Sequence, residues 1–541
     1  MDRLLVALLA LALVPLVGAA PALDDRAALP RAAPDLAHGL LQTAGPVPAS
    51  AAAAGSESFV SAATLGGDVD GDGRGDVLHL LRVDGRPVVE ARGVADGAVA
   101  WSTPLDAPAR GRWERWSDRV QALPDVTGDG VRDVSASVAR YDEPGALGSY
   151  WVVWTWHVVL DGATGAPLWR HADAPGHETP LGYQVFAYAD VEGDGRPELL
   201  ALRWTTLLNE GDTFLRVAVV RGADGAVLRE RLIVAPLGVG ERAAAVGDAT
   251  GDGQSDLVLL DARLATTDVV VEDGVTGRVA WRAPGLEGAY GVVLVPGLDA
   301  APGAEVVVEA TDGRRDFAVA YAGADGARLW SSPGTPYYQY VLPMGDATRD
   351  GRADLYAVAY DAFGDLRGLS LLDGATGQPA AELDGSATYP ETLAELTGDG
   401  ALDVVAWAGE TRLLLDPAAG FAAVGGLPAS GYVCPGTADA NGDARPDALL
   451  FDVEGWWWEP QTARTSLLDG ATLAVAWEDA VPDWEYLGCG LLVDAVGGPG
   501  ADVLQLLATQ PADGRVRTHQ RVLSGADGAL AYAVEVAAFT R

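Results

Sequence analysis

Lysine is missing from this chain: all 37 basic side chains among its 541 residues are arginines. A GC-rich genome, a saline habitat or both together would account for that bias. Against these arginines stand 76 carboxylates, giving a formal charge of -39, so like-charge repulsion disfavours nucleic acid and anionic membranes as partners. Histidine is scarce, with His38, His79, His157, His171, His177 and His519, and none shows the His-Glu-x-x-His spacing of a metal protease. A Gly-x-Ser-x-Gly nucleophile elbow and a phosphate-binding loop are missing too, which leaves no catalytic residue to name. His171 and His177 fall with Glu178 in a stretch that reads as a long loop, solvated rather than catalytic.

Long apolar runs are also lacking. The one candidate, residues 4–17, follows Arg3, is interrupted by Pro15 and is too short to span a bilayer comfortably. With Ala20-Pro21-Ala22 as a small-x-small cleavage site it reads as a secretory signal over 1–22, so the expected location is extracellular, secreted or at the cell surface. No membrane insertion is expected after cleavage. Residues 23–56, rich in Ala and Pro, read as a linker or propeptide. Cysteine is reduced to two, Cys434 and Cys489, each five residues before the acidic loop of its own repeat. In an exported chain such equivalent positions point to a disulfide between neighbouring repeats, with two buried free thiols as the alternative.

What the chain has in abundance is glycine, 68 residues, and a nine-residue acidic loop. The loop is first met as Asp68-Val69-Asp70-Gly71-Asp72-Gly73-Arg74-Gly75-Asp76 and returns at 125–133, 190–198, 248–256, 346–354, 395–403 and 439–447. Eroded copies at 297–305 and 494–502 complete nine repeats of about 45 to 65 residues. The fold is therefore argued from the repeat, which occupies 57–541.

The fourth copy reads as four short strands, 242–246, 256–260, 268–271 and 278–282, bounded by turn residues. The last two are joined by the turn Asp273-Gly274-Val275-Thr276-Gly277, which recurs at 161–165 and 373–377. Four residues past the turn stands an aromatic in six repeats: Trp101, Trp169, Trp281, Trp330, Trp477 and Tyr532; Arg229, Ala381 and Val424 hold the place in the others. A constant offset implies one pocket per repeat, most simply between neighbouring sheets. The expectation is an all-β fold, a β-propeller of four-stranded blades, eight or nine in number.

Acidic side chains at loop positions 1, 3 and 5 converge only if the backbone curls round a cation; glycine at position 6 permits the turn and the acid at position 9 closes the shell. The expected ligand sets are Asp68, Asp70, Asp72 and Asp76; Asp125, Thr127, Asp129 and Asp133; Asp190, Glu192, Asp194 and Glu198; Asp248, Thr250, Asp252 and Asp256. Then follow Asp346, Thr348, Asp350 and Asp354; Glu395, Thr397, Asp399 and Asp403; Asp439, Asn441, Asp443 and Asp447. Oxygen-only ligands argue against zinc and for Ca2+, at about seven sites, held as structural ions. The eroded loops keep too few ligands and are expected to stay empty. Arg74-Gly75-Asp76 spells an adhesive tripeptide, but Asp76 is wanted for the metal.

The loop followed by strand text such as Asp256-Leu257-Val258-Leu259-Leu260 resembles the FG-GAP and VCBS repeats of integrin α-type β-propellers. That resemblance implies calcium loops at one edge of the blades and partner binding on the opposite face. The element 161–169, from Asp161 to Trp169, is similar to the turn-plus-tryptophan element of quinoprotein propellers, and only the packing role is carried over. The combined reading is a non-catalytic, monomeric binding or adhesion module for an extracellular protein or glycan. A lectin-like propeller, with Trp151, Trp154, Trp156 and Trp456, Trp457, Trp458 stacking on sugars, is the alternative; a polysaccharide lyase is the enzymatic one. The extended segments 103–123, 141–150 and 173–181 are the first candidates for contacts.

Overall fold

The structure, a computed structural model, describes residues 58–69, 73–106, 115–142, 151–173, 178–207, 213–235, 243–263, 266–335, 338–360, 366–384, 388–428, 431–454, 461–487, 491–495, 500–509 and 515–540. The expected signal, linker, Asp70, Asp72, His38, His177, Trp456, Trp457, Trp458 and Cys489 lie outside these residues.

The chain is an all-β propeller of nine four-stranded blades, at 58–104, 115–173, 178–235, 244–286, 289–331, 338–384, 389–427, 432–487 and 491–540. Within each blade the strands pair in sequence order and antiparallel. Blades 8 and 9 form one continuous sheet, because the long outer strand Ala474–Leu487 also pairs with Asp502–Thr509. A 3-10 turn occupies Pro417–Ala419, and among the described residues no helix is long and apolar enough to cross a membrane.

Blade 4 shows why the sequence folds so. Its strands are Ala244–Gly247, Asp256–Arg263, Thr266–Glu272 and Val279–Leu286. The register pairs Ala244 with Leu259, Leu260 with Val269 and Val271 with Trp281. The inner strands are apolar on both faces because another blade lies on each side; Leu257, Val258, Leu259 and Leu260 are all buried. The outer strand alternates, burying Trp281 and leaving Val279 exposed. Gly277, at φ 66°, closes the turn by donating its N–H to the Asp273 carbonyl at 2.8 Å.

The described residues fall into two compact units. One takes Gln184–Arg221 and Val227–Ala429, and holds most of blades 3 to 7; the other takes the rest and holds blades 1, 2, 8 and 9. In the second unit the last blade packs on the first. Val77, Val94, Ala495, Leu504 and Val522 form a shared apolar cluster, and the Tyr532 hydroxyl donates to the Val94 carbonyl at 2.7 Å. The end repeats are thus neighbours rather than free caps.

Two segments expected as loops contain strands. Residues 115–122 of the 103–123 segment form the first strand of blade 2, and residues 178–181 begin the first strand of blade 3. His171 sits in the strand Pro167–Asp173 and Glu178 in Glu178–Ala187, so neither belongs to a long loop. Pairing with inner strands decided this, since the local text of both segments is polar enough to read as coil.

Candidate metal centre

The acidic loop joins the first and second strands of each blade, and its carboxylates divide the work by position. In blade 4, Asp248 at position 1 accepts the amides of Gly251, Asp252 and Gly253 at 2.7, 3.1 and 2.9 Å. One carboxylate therefore curls the loop by itself. Asp125, Asp190 and Asp439 gather the same three amides, and Glu395 takes those of Gly398 and Asp399. Position 5 accepts the amide two residues on: Asp252 from Gln254 at 2.8 Å, Asp129 from Val131 at 2.8 Å and Asp350 from Arg352 at 2.9 Å.

Position 9 is different because it is buried. Asp133, Asp256, Asp354 and Asp447 are fully enclosed, and Asp76, Glu198 and Asp403 nearly so. One oxygen of Asp256 accepts the amides of Ala249 and Thr250, at 3.0 and 2.7 Å, and the other accepts the amide of Gly274 in the outer turn at 3.0 Å. The same stitch ties Asp133 to Gly162, Asp354 to Gly374 and Asp447 to Gly470. Burial pushes the Asp133 carboxyl up to about 6 and that of Asp403 to about 7, although amide hydrogen bonds pull both down. Asp256, Asp354, Asp447 and Glu198 are raised by burial as well. Both eroded loops retain this residue in its duty: Glu305 accepts the Leu298 amide at 2.8 Å and Asp502 that of Ala495 at 3.1 Å.

The first glycine of the outer turn also receives the docking aromatic of the preceding blade. The indole N–H of Trp101 donates to the Gly162 carbonyl at 2.6 Å, Trp281 to Gly323 at 2.5 Å, Trp330 to Gly374 at 2.7 Å and Trp477 to Gly525 at 2.6 Å. Trp169 does so with Gly222 in the same compact unit at 2.6 Å. The ring lies on the last turn glycine, where a Cβ on Gly377 would meet Trp330 at 2.4 Å. Arg229, where an aromatic was missing, donates its guanidinium to Gly274 instead. At Gly162, Gly274 and Gly374 the loop is thereby wired to blade stacking through a single glycine, its N–H held by position 9 and its carbonyl by the docking side chain.

Three carboxylates converge in one loop. Oxygens of Asp190, Asp194 and Glu198 all lie within 4.8 Å of one another, a unique group of three among the described residues. The fourth expected ligand, Glu192, turns aside to Arg221, whose Nη2 donates to it at 2.7 Å. In blade 7, Asp399 accepts from Arg349 of the neighbouring loop at 3.2 Å. Asn441 donates its amide to Asp447 and Asp469 while its Oδ1 accepts the Asp443 amide at 2.9 Å, and the Thr127 hydroxyl donates to Asp125 at 3.2 Å. The donors that remain are hard oxygens, a set that fits Ca2+ better than a thiophilic metal.

Sequence reasoning missed position 4. Gly128, Gly193, Gly251, Gly398 and Gly442 have φ between 71° and 85°, and Arg349 occupies the same left-handed region at 61°. The signal was legible, since glycine stands there in every intact loop but one. Position 6, which was foreseen, is left-handed too, including Ala444 at φ 70°.

Asp76 is 1% exposed, so the Arg-Gly-Asp tripeptide presents no carboxylate to a partner. Cys434 is buried and disulfide-bonded, its expected partner Cys489 lying outside the described residues. His157 is buried, its Nδ1 2.7 Å from the Ser137 hydroxyl and its ring against Trp169. Trp156 is buried, which removes it from any sugar-stacking row; the side chains of Trp151 and Trp154 lie outside the description.

No known protein-family model matches the chain, and no curated protein does. Solved structures with a similar fold include the rhamnogalacturonan lyase YesW, at 16% identity over 83% of this chain and 88% of that one, TM-score 0.48. The exotype rhamnogalacturonan lyase YesX follows at 17% identity, covering 87% and 81%, TM-score 0.46. A Bacillus licheniformis rhamnogalacturonan lyase stands at 17%, 78% and 78%, TM-score 0.47. Likeness at this level leaves function to the chain's own residues.

Proposed function

We propose that the protein is an exported propeller of the FG-GAP/VCBS type, whose acidic loops hold structural calcium and whose blades present a non-catalytic binding surface to an extracellular protein or glycan. The observation that carries the calcium reading is the buried carboxylate at position 9. Burial raises its affinity for a proton in spite of the amide donors, so positive charge is still wanted there, and the half-buried acid at position 1 and the exposed acid at position 5 of the same loop can share a cation with it. Asp190, Asp194 and Glu198 would hold the best-defined ion, with oxygens of the loop and water completing the shell. Calcium supplies countercharge and fixes the loop; the chain's residues do the rest by tying the loop to the turn and the turn to the preceding blade.

The binding surface is assigned to the edge away from the loops. In every blade the acidic loop and the outer turn share one edge, so the connections between second and third strands and those between blades fall on the other. These connections vary in length, from two residues between the second and third strands of blade 1 to ten between blades 1 and 2. Variable connections on a repeating scaffold are where recognition is usually placed.

The test is incubation of the mature protein with a polysaccharide panel in millimolar calcium, following retention on the polymer and the ultraviolet absorbance of unsaturated products. Retention without product supports a glycan-binding module. Product refutes the non-catalytic reading and makes the protein a lyase. Neither signal directs the search to a protein partner.

A further inference from the structure

The junction between the last and first blades contains a feature seen at no other described junction. His79, on the strand Asp76–Val83, lies two residues beyond Val77 and so on the same face, toward blade 9. It is fully buried, and neither ring nitrogen has a hydrogen-bond partner. The equivalent residue, three past the position 9 acid, is Ala136, Ala201, Leu259, Val308, Ala357, Ala406 and Leu450 in blades 2 to 8, all apolar, and Gln505 in blade 9. A histidine here contributes no packing that an aliphatic residue would not.

Its surroundings offer little to an imidazolium. Directly across on the third strand is Glu90, whose carboxylate is held by Arg92, and the Arg92 charge opposes protonation of His79. Ala63 faces it from the first strand. Blade 9 brings Leu504, Val522, Gln520 and Tyr532 to the junction. Gln520 donates to the Gly93 carbonyl at 3.1 Å and to the Tyr532 hydroxyl at 2.8 Å, leaving its own oxygen without a partner. Asp96, in the outer turn of blade 1, bears on Tyr532. Arg521 and His519 alternate to the other face, where Arg521 bonds Gln505 and Asp479.

We propose that His79 makes the junction of the first and last blades an acid-released clasp, closed while the imidazole is neutral and opened when a proton is taken up. Burial, reinforced by Arg92, pushes the ring down to about 3 from its ordinary 6.5. A depressed histidine adds stability that is complete above the ordinary value and is lost as pH falls through that window toward 3, by at most about tenfold in the opening equilibrium per pH unit.

Hydrogen exchange of the full mature protein in calcium, read at pH 7.5 and 4.5 after correction for intrinsic rates, tests this. Protection of Asp76–Val83 and Leu530–Thr540 is expected to fall by about tenfold to a hundredfold at pH 4.5, while the strands of blade 4 keep theirs. His79→Leu removes that loss; should it not fold, His79→Gln carries the same reading. Equal loss in wild type and variant, pH-independent protection of the junction, or equal opening of blade 4 each overturns the clasp.

Discussion

At the scale of the residue, the loop acids carry unequal loads. Asp252 is exposed and accepts one amide, whereas Asp256 is buried and accepts three. Asp252→Ala should lower the melting temperature in calcium and leave it unchanged in chelator, by differential scanning calorimetry. Asp256→Ala should destabilise in both, by about 3 kcal/mol or more, because it strands buried N–H groups. A backbone prediction is independent of any ion. Ala444 holds a left-handed φ that its Cβ disfavours, so Ala444→Gly should stabilise by about 0.5 to 1 kcal/mol, measured by denaturant unfolding.

At the scale of the element, loop, turn and docking aromatic form one connected unit. Trp281→Phe retains a ring over Gly326 but gives up the bond to Gly323, and should cost about 1 kcal/mol; Trp281→Ala empties the site and should cost about 3 to 5 kcal/mol, again by denaturant unfolding. The pattern breaks at Ala381 and is made good differently. Tyr356, fully buried on the second strand of blade 6, donates its hydroxyl to the Leu402 carbonyl at 3.0 Å and stacks on Phe421. The loop also sets a pH dependence. Asp403, raised to about 7, contributes stability in chelator that is present below the ordinary carboxylate range and lost as pH rises through 7. On the proposed calcium reading a cation replaces the proton, so the gain in melting temperature on adding calcium should be larger at pH 8 than at pH 6. An equal gain at both would show that the position 9 acids do not share the ion.

At the scale of the whole molecule, much was legible in the sequence and for a physical reason. A repeat whose strands cannot bury both faces alone must stack, and the constant offset of Trp101, Trp169, Trp281, Trp330 and Trp477 announced the pocket that stacking creates. Spacing alone determined the all-β class, the four-stranded blade, the outer turn and the acidic loop, because these are local patterns of turn residues and two-residue alternation. Tertiary structure decided what depends on distant partners. It gave the count of nine, and it placed residues 115–122 and 178–181 in strands through pairing that their polar text does not reveal. It turned Glu192 to Arg221 and Asp399 to Arg349, since a neighbouring guanidinium competes for a carboxylate wherever the fold brings one near. It sealed His79 between the first and last blades, a burial set by residues more than 400 positions away that no reading of one strand could supply.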